Sequence, residues 1–213
     1  MQATARTACT AFEGFRLIGS GELAAISPAI YRALQKADHA PIQIFDDASA
    51  HQVEVDFRGD LADVLDRLET AAQWAIEDAP PAPTNENASV SPPRGRGRPK
   101  LGVVAREVTL LPRHWDWLDT QPGGASASLR RLVEEAKRIS GPADRIRRSQ
   151  EVAYRFMSMM AGDMEGFEEA SRALFAAEET RFDEMSAAWP ADVRNYAKRL
   201  AEAAFGSDLA PNT

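Results

Sequence analysis

One cysteine, Cys9, stands in a chain of 213 residues. A lone thiol excludes an intrachain disulfide framework and any site built on several thiolates. Histidine is scarce as well: His39, His51 and His114 lie far apart in the sequence. There is no G-x-S-x-G, no glycine-rich loop ending in Lys-Ser/Thr and no H-E-x-x-H. The common signatures of α/β-hydrolases, P-loop NTPases and zinc proteases are therefore missing. No stretch approaches the roughly 18 apolar residues of a membrane-crossing helix. The N-terminus also lacks a basic start followed by an apolar core. A cytoplasmic protein without a membrane segment is the expectation.

Positive charge is in deficit overall, with a net charge of −7. Its distribution is uneven. Arg94 to Arg148 hold 13 Lys+Arg against 6 Asp+Glu, whereas residues 1–93 hold 6 against 14 and residues 149–213 hold 6 against 12. A basic middle between acidic flanks is an electrostatic footprint for a polyanion. The alternative is chance clustering beside a solvated linker.

The first 78 residues mix both periodicities. "FRLIGSG" reads as a strand, and Ser27 before Pro28 reads as the cap of a helix reaching about Ala37. "PIQIF" and "VEVDF" alternate with period two around "DDASAHQ" and read as a hairpin. Asp60 caps a helix with Leu61, Val64, Leu65, Leu68 and Ala72 on one face. The expected order is β-α-β-β-α, a small sheet covered by two helices. Residues 79–100 are rich in Pro, Asn, Ser and Gly without apolar periodicity, as in a flexible linker.

From 101 to 142 a strand, "VVAREVTLLP", leads to a short helix, "RHWDWLD", and a stop at "TQPGG". Ser126 or Ser128 then caps a helix with Leu129, Leu132, Val133, Ala136 and Ile139 at helical spacing. Residues 143–213 read as all-helical. There Asp163 is the cap for "MEGFEEASRALF", and Pro190 opens "ADVRNYAKRLAEAAF". Phe156, Met157, Met159 and Met160 read first as core and second as an adaptable recognition surface. The fold class is thus α+β: a small N-terminal β-α-β-β-α unit, a linker, then a strand followed by a mostly helical C-terminal part.

"RGRP" at Arg96 to Pro99, between Arg94 and Lys100, resembles an AT-hook. Glycine lets the backbone approach a groove floor, and proline keeps the chain extended. Arginines are drawn to the negative potential of a narrow A·T-rich minor groove. The resemblance implies a groove-binding core of Arg96, Gly97, Arg98 and Pro99, with Arg94 and Lys100 on phosphates. An Arg/Gly/Pro linker that binds RNA, or only keeps the chain soluble, has the same composition.

"REVTLLPRHWDWLDTQPGGASASLRRLVEEAKR" resembles a ribbon-helix-helix module. The resemblance implies strands paired between two chains, with Glu107 and Thr109 facing the major groove and Val108 and Leu110 facing the core. Ser126 and Ser128 would meet a phosphate at the second helix's N-terminus, and Leu129, Leu132 and Val133 would build the dimer core. Glu107 would repel phosphate but can accept from cytosine N4, and the Trp115–Trp117 spacing departs from the usual helix pattern. The other reading makes these elements part of one larger fold that never meets DNA.

The chain also resembles a bacterial family known as domain of unknown function 2239. The resemblance is carried by "GRPKLGVVAREVTLLPRHWDWL", "QPGGASASLRRLVEEAKR", "FMSMMAGDMEGFEEASRALF", "AAWPADVRNYAKRLA" and "IFDDASAHQVEVDFRG". It implies that the segments form one architecture and transfers no activity.

Enzymatic constellations are weak. His51 lies among Asp46, Asp47, Glu54 and Asp56, but at no known cation-loop spacing. His114 and Asp116 sit at i and i+2, which do not face each other on a helix. The functional expectation is a non-enzymatic DNA-binding protein without a cofactor, a transcriptional regulator or nucleoid-associated protein acting as a homodimer. The competing expectation is a protein–protein adaptor whose partners meet the acidic N-terminal or helical C-terminal part.

Overall fold

A computed structural model describes residues 4–77 and 106–206. The chain divides into two compact units, one made of residues 1–76 and 138–213 and the other of residues 77–137.

The larger unit is organised by a three-stranded antiparallel sheet in the order β2-β1-β3. β1 (Ala8–Glu13) and β2 (Arg16–Glu22) form a hairpin, and β3 (Ile42–Asp46) pairs on the other side of β1. The hairpin turns at Gly14 with φ of +58°, a backbone region glycine enters without steric cost. Its register shifts between Ala11 and Phe12, as at a β-bulge.

β1 is the strand that sequence pattern does not announce. Cys9, Thr10, Ala11 and Phe12 are all fully buried, so the apolar–polar alternation of a half-exposed strand is absent. Cys9 and Ala11 pack with β3's Ile44, with Leu23, Ile26 and Ile30 of α1 (Leu23–Leu34), and with Val64 and Leu68 of α2 (Leu61–Glu77). Phe12 and Phe45 belong to a second core with the C-terminal helices. The sheet is thus covered on both faces, and Phe12, Phe45 and Ala50 share a core with buried residues from Val152 to Ala204.

The α+β class holds, but the element order is β-β-α-β-α. "VEVDF" is not a strand: beyond a single Phe45–Gln52 bridge and the Val53 amide donating to the Ile44 carbonyl, it has no ladder. Its alternation is nonetheless real. Val53, Val55 and Phe57 pack against the α1/α2 core, while Glu54 and Asp56 face solvent. Ser27 does not cap α1, which begins four residues earlier. The Leu23 and Ala24 amides donate to the carbonyls of Thr7 and Ala5, so the incoming chain satisfies the first turn. Ser27 lies within the helix, its hydroxyl donating back to the Leu23 carbonyl. Asp60 does cap α2: its carboxylate accepts from the Asp63 amide, and Asp63 accepts from the Asp60 amide, a reciprocal capping pair.

The C-terminal part consists of α4 (Gly124–Met160), α5 (Phe167–Phe175), α6 (Glu179–Met185), α7 (Ala191–Leu200) and α8 (Glu202–Phe205). α4 runs through Pro142 where the sequence suggested a break. Gly166, not Asp163, precedes α5. Its φ is +81°, and a Cβ there would stand 2.3 Å from the Met185 carbonyl oxygen, so only glycine fits. Phe156, Met157 and Met160 are core, and Met159 alone of that cluster is exposed. Phe156 meets Phe12, Phe45 and Tyr196 at ring-centroid distances of 5.6, 5.1 and 4.6 Å.

A polar network crosses the same contact. Asp47 accepts from the Thr10 hydroxyl at 2.7 Å and from the Tyr196 hydroxyl at 2.8 Å. Arg199 donates to Thr10 at 2.9 Å, and its guanidinium lies 4.6 Å from the Tyr196 ring centre.

In the smaller unit α3 (Pro112–Asp119) starts with proline in its first turn, behind Leu111 in extended conformation. Leu118 is its one buried side chain. The turn into α4 passes through Gly123 and Gly124, both with positive φ.

Phe156→Ala is expected to cost about 3–5 kcal/mol in urea denaturation. Tyr196→Phe, which keeps the ring and removes the donor to Asp47, is expected to cost about 1–3 kcal/mol. Equal losses would show that the hydroxyl contributes as much as ring packing at this contact.

Candidate nucleic-acid interface

Arg94, Arg96, Gly97, Arg98, Pro99 and Lys100 lie outside the described residues. The interface is therefore built from the segment that follows them.

Residues 106–111 form no strand in the single chain, where the sequence suggested one. A strand requires a neighbour to share its amides and carbonyls, and none of the described residues pairs with this stretch. Glu107, Val108 and Thr109 are all exposed, so the inward position implied for Val108 is not occupied within one protomer.

Neither Ser126 nor Ser128 caps α4. The paired glycines turn the chain directly into the helix, and the Gly124 amide donates to the Gln121 carbonyl at 3.1 Å. Ser126 is the third helical residue and is exposed. Ser128 is the fifth and is 1% exposed, with no hydrogen-bond partner for its hydroxyl among the described residues. The first turn contains no acidic residue, leaving unopposed the positive end of the dipole and the amides that lack intrahelical acceptors.

Charge follows the same helix. Between Gly124 and Met160 eight Lys+Arg stand against four Asp+Glu. Every residue from 131 to 139 is exposed, and the predicted apolar stripe is exposed with the charges: Leu132 is 43%, Val133 54% and Ile139 68% accessible. Trp115 and Trp117 of α3 are exposed too.

The carboxylates around His51 are committed elsewhere. Asp46 accepts from the Ala48 and Ser49 amides and from the Ser49 hydroxyl, closing the turn after β3. Asp56 pairs with Arg58, whose guanidinium holds its carboxyl well below the usual range. Among the described residues no group of three or more His, Cys, Asp or Glu is placed to hold a metal ion, and no helix is long and apolar enough to cross a membrane. Burial pushes the Cys9 thiol up to about 12, with Asp46 and Asp47 adding repulsion.

One grouping was only half legible. Arg145 and Arg148 stand a turn apart on α4, and Arg199 of α7 lines the same depression. The i, i+3 spacing shows the first two as neighbours. Nothing local links them to a residue some fifty positions on.

The family described as "Uncharacterized protein conserved in bacteria (DUF2239)" matches residues 8–201. No curated protein matches the chain, and no solved structure does.

Two outcomes follow. Ser128→Ala is expected to leave protomer stability unchanged or slightly raised, because a buried hydroxyl without a partner gains nothing to offset its desolvation; a loss above about 1 kcal/mol would mean the hydroxyl is bonded. For Cys9 the folded thiol holds its proton more tightly than the unfolded one, whose ordinary value is 9.0. Its contribution is therefore intact below pH 9 and lost as pH rises from 9 toward 12. Native protein should resist thiol alkylation at pH 8 and react on unfolding.

Proposed function

Because the chain belongs to DUF2239, a family of uncharacterized proteins conserved in bacteria, we propose its function from its own chemistry: it binds DNA as a homodimer, as a transcriptional regulator or nucleoid-associated protein. The hook-like run, with Arg96 and Arg98 at its centre, takes the minor groove of A·T-rich DNA. The segment from 106 to 139 pairs with a second copy in ribbon-helix-helix manner and sets the α4 N-terminus against the adjacent backbone.

The observation that carries this reading is the state of that segment in one protomer. A stretch with no strand partner among the described residues leads into helices whose apolar stripe lies open to water. Large apolar side chains left exposed together mark a surface made to be covered. A second copy supplies both missing parts at once: a neighbouring strand for residues 106–111 and a face for Leu132 and Val133. The surplus of Arg94 to Arg148, 13 Lys+Arg against 6 Asp+Glu, favours a polyanion as the ligand. Thr109 then faces the groove, with Ser126 beside the phosphate.

Fluorescence anisotropy with A·T-rich and G·C-rich duplexes across a salt series tests this. Wild type is expected to prefer A·T, with each phosphate contact adding about 0.9 to the log–log salt slope. The Arg96→Ala, Arg98→Ala double variant is expected to lose that preference. Val133→Glu is expected to shift sedimentation from dimer to monomer without lowering protomer stability, since Val133 is 54% exposed. A wild-type protein that sediments as monomer at tens of micromolar would overturn the paired-strand arrangement. Failure to bind either duplex at low salt would overturn DNA as the ligand.

A further inference from the structure

The larger unit holds an open depression of about 630 Å³ between α4, the turn after β3 and the end of α7. That volume lies within the usual range for small-molecule sites, roughly 300–1,000 Å³. Val152, Leu200, Ala48 and Ala203 contribute apolar surface. Arg145 and Arg148 stand on the α4 wall and Arg199 on the α7 wall.

Two of the three arginines are not neutralised as other cations of this unit are. Lys198 is neutralised by Asp183 at 2.6 Å and Glu179 at 3.0 Å, and Arg147 is paired with Asp144. Arg145 and Arg148 have no carboxylate within ion-pair distance among the described residues. Arg199 is held in place by Thr10 and the Tyr196 ring. Its nearest carboxylate, Asp47, is 3.7 Å away and already accepts two hydroxyl donors. Two acidic side chains lie on the wall: Asp47, whose Oδ1 takes both hydroxyl donors, and Glu202, which can accept a hydrogen bond from a ligand.

We propose that this depression binds a small organic phosphate monoester with a hydroxyl- or amino-bearing body. Arg145 and Arg148 grip the phosphate, since the guanidinium fork matches its oxygens. The body lies over Val152 and Leu200, with Glu202 accepting from its polar group. Arg199, fixed by its network, adds charge without ordering cost. The site stands apart from the DNA reading: all its residues belong to the larger unit, and it needs neither the hook nor a second protomer.

Isothermal titration of the full chain with a nucleoside monophosphate, the parent nucleoside and inorganic phosphate tests it. The monophosphate is expected to bind more tightly than either fragment. Arg145→Gln with Arg148→Gln should weaken it on the order of tenfold to hundredfold, with the melting temperature unchanged because both side chains are exposed and have no ion pair among the described residues. Glu202→Gln should weaken the monophosphate and leave inorganic phosphate unaffected. Equal binding of the parent nucleoside, or no heat with any probe, would overturn the proposal. So would displacement of the monophosphate by duplex DNA, which would assign the arginines to a nucleic-acid surface.

Discussion

Everything in the larger unit depends on the burial of β1 on both faces. A central strand with Cys9 and Ala11 on one side and Thr10 and Phe12 on the other cannot be satisfied by an N-terminal segment alone. Helices α1 and α2 cover the first face. The second needs apolar surface that the first 77 residues do not contain, and Phe156, Met157 and Tyr196 supply it from far along the chain. With that face bare, Phe12 and Phe45 would stand exposed together in water. The N-terminal and C-terminal parts of the larger unit are thus joined by an energetic need.

The polar network on that second face is the complement of the aromatic cluster. Thr10 is a polar residue in a fully buried strand position, and it is tolerated because its hydroxyl meets Asp47, Ser20 and Arg199. Asp47 leaves water only in part and receives two hydroxyl donors in return. Tyr196 joins both systems: its ring packs on Phe156 and Phe12, and its hydroxyl donates to Asp47. Desolvation is the larger cause raising its pKa, with the Asp47 carboxylate next. Such a network specifies how α7 lies on the sheet more than apolar contact does, since a shift would leave several buried groups unpaired at once.

What was legible in the sequence was what local physics determines. The cap at Asp60, the stripe of Val64 and Leu68, and the opening of α7 at Pro190 are readable because residues within four positions decide them. β1 was hidden because a strand buried on both faces loses its period-two signature, and "ACTAFE" is alanine-rich besides. "VEVDF" misled for the opposite reason: it packs one face on a core and so alternates, but hydrogen bonds, not alternation, define a strand. Ser27 carried a local capping signal that Thr7 and Ala5 overrode from outside the helix. The arginine depression needed α4 and α7 brought together, which no spacing encodes.

α4 shows how one helix can carry two unlike environments. Past residue 149 it is a core element, with Val152, Ala153, Phe156 and Met157 buried in succession. From 131 to 139 the same helix is exposed on every side. Helical propensity alone does not explain apolar residues there, because Glu, Lys or Gln would form the helix as well and keep it soluble. Leu132, Val133 and Ile139 at those positions cost solubility in a lone protomer and gain nothing unless something covers them. The two parts of α4 thus obey different constraints: beyond residue 149 burial in a core selects the apolar side chains, whereas from 131 to 139 three basic and two acidic residues stand among apolar side chains that the protomer leaves uncovered.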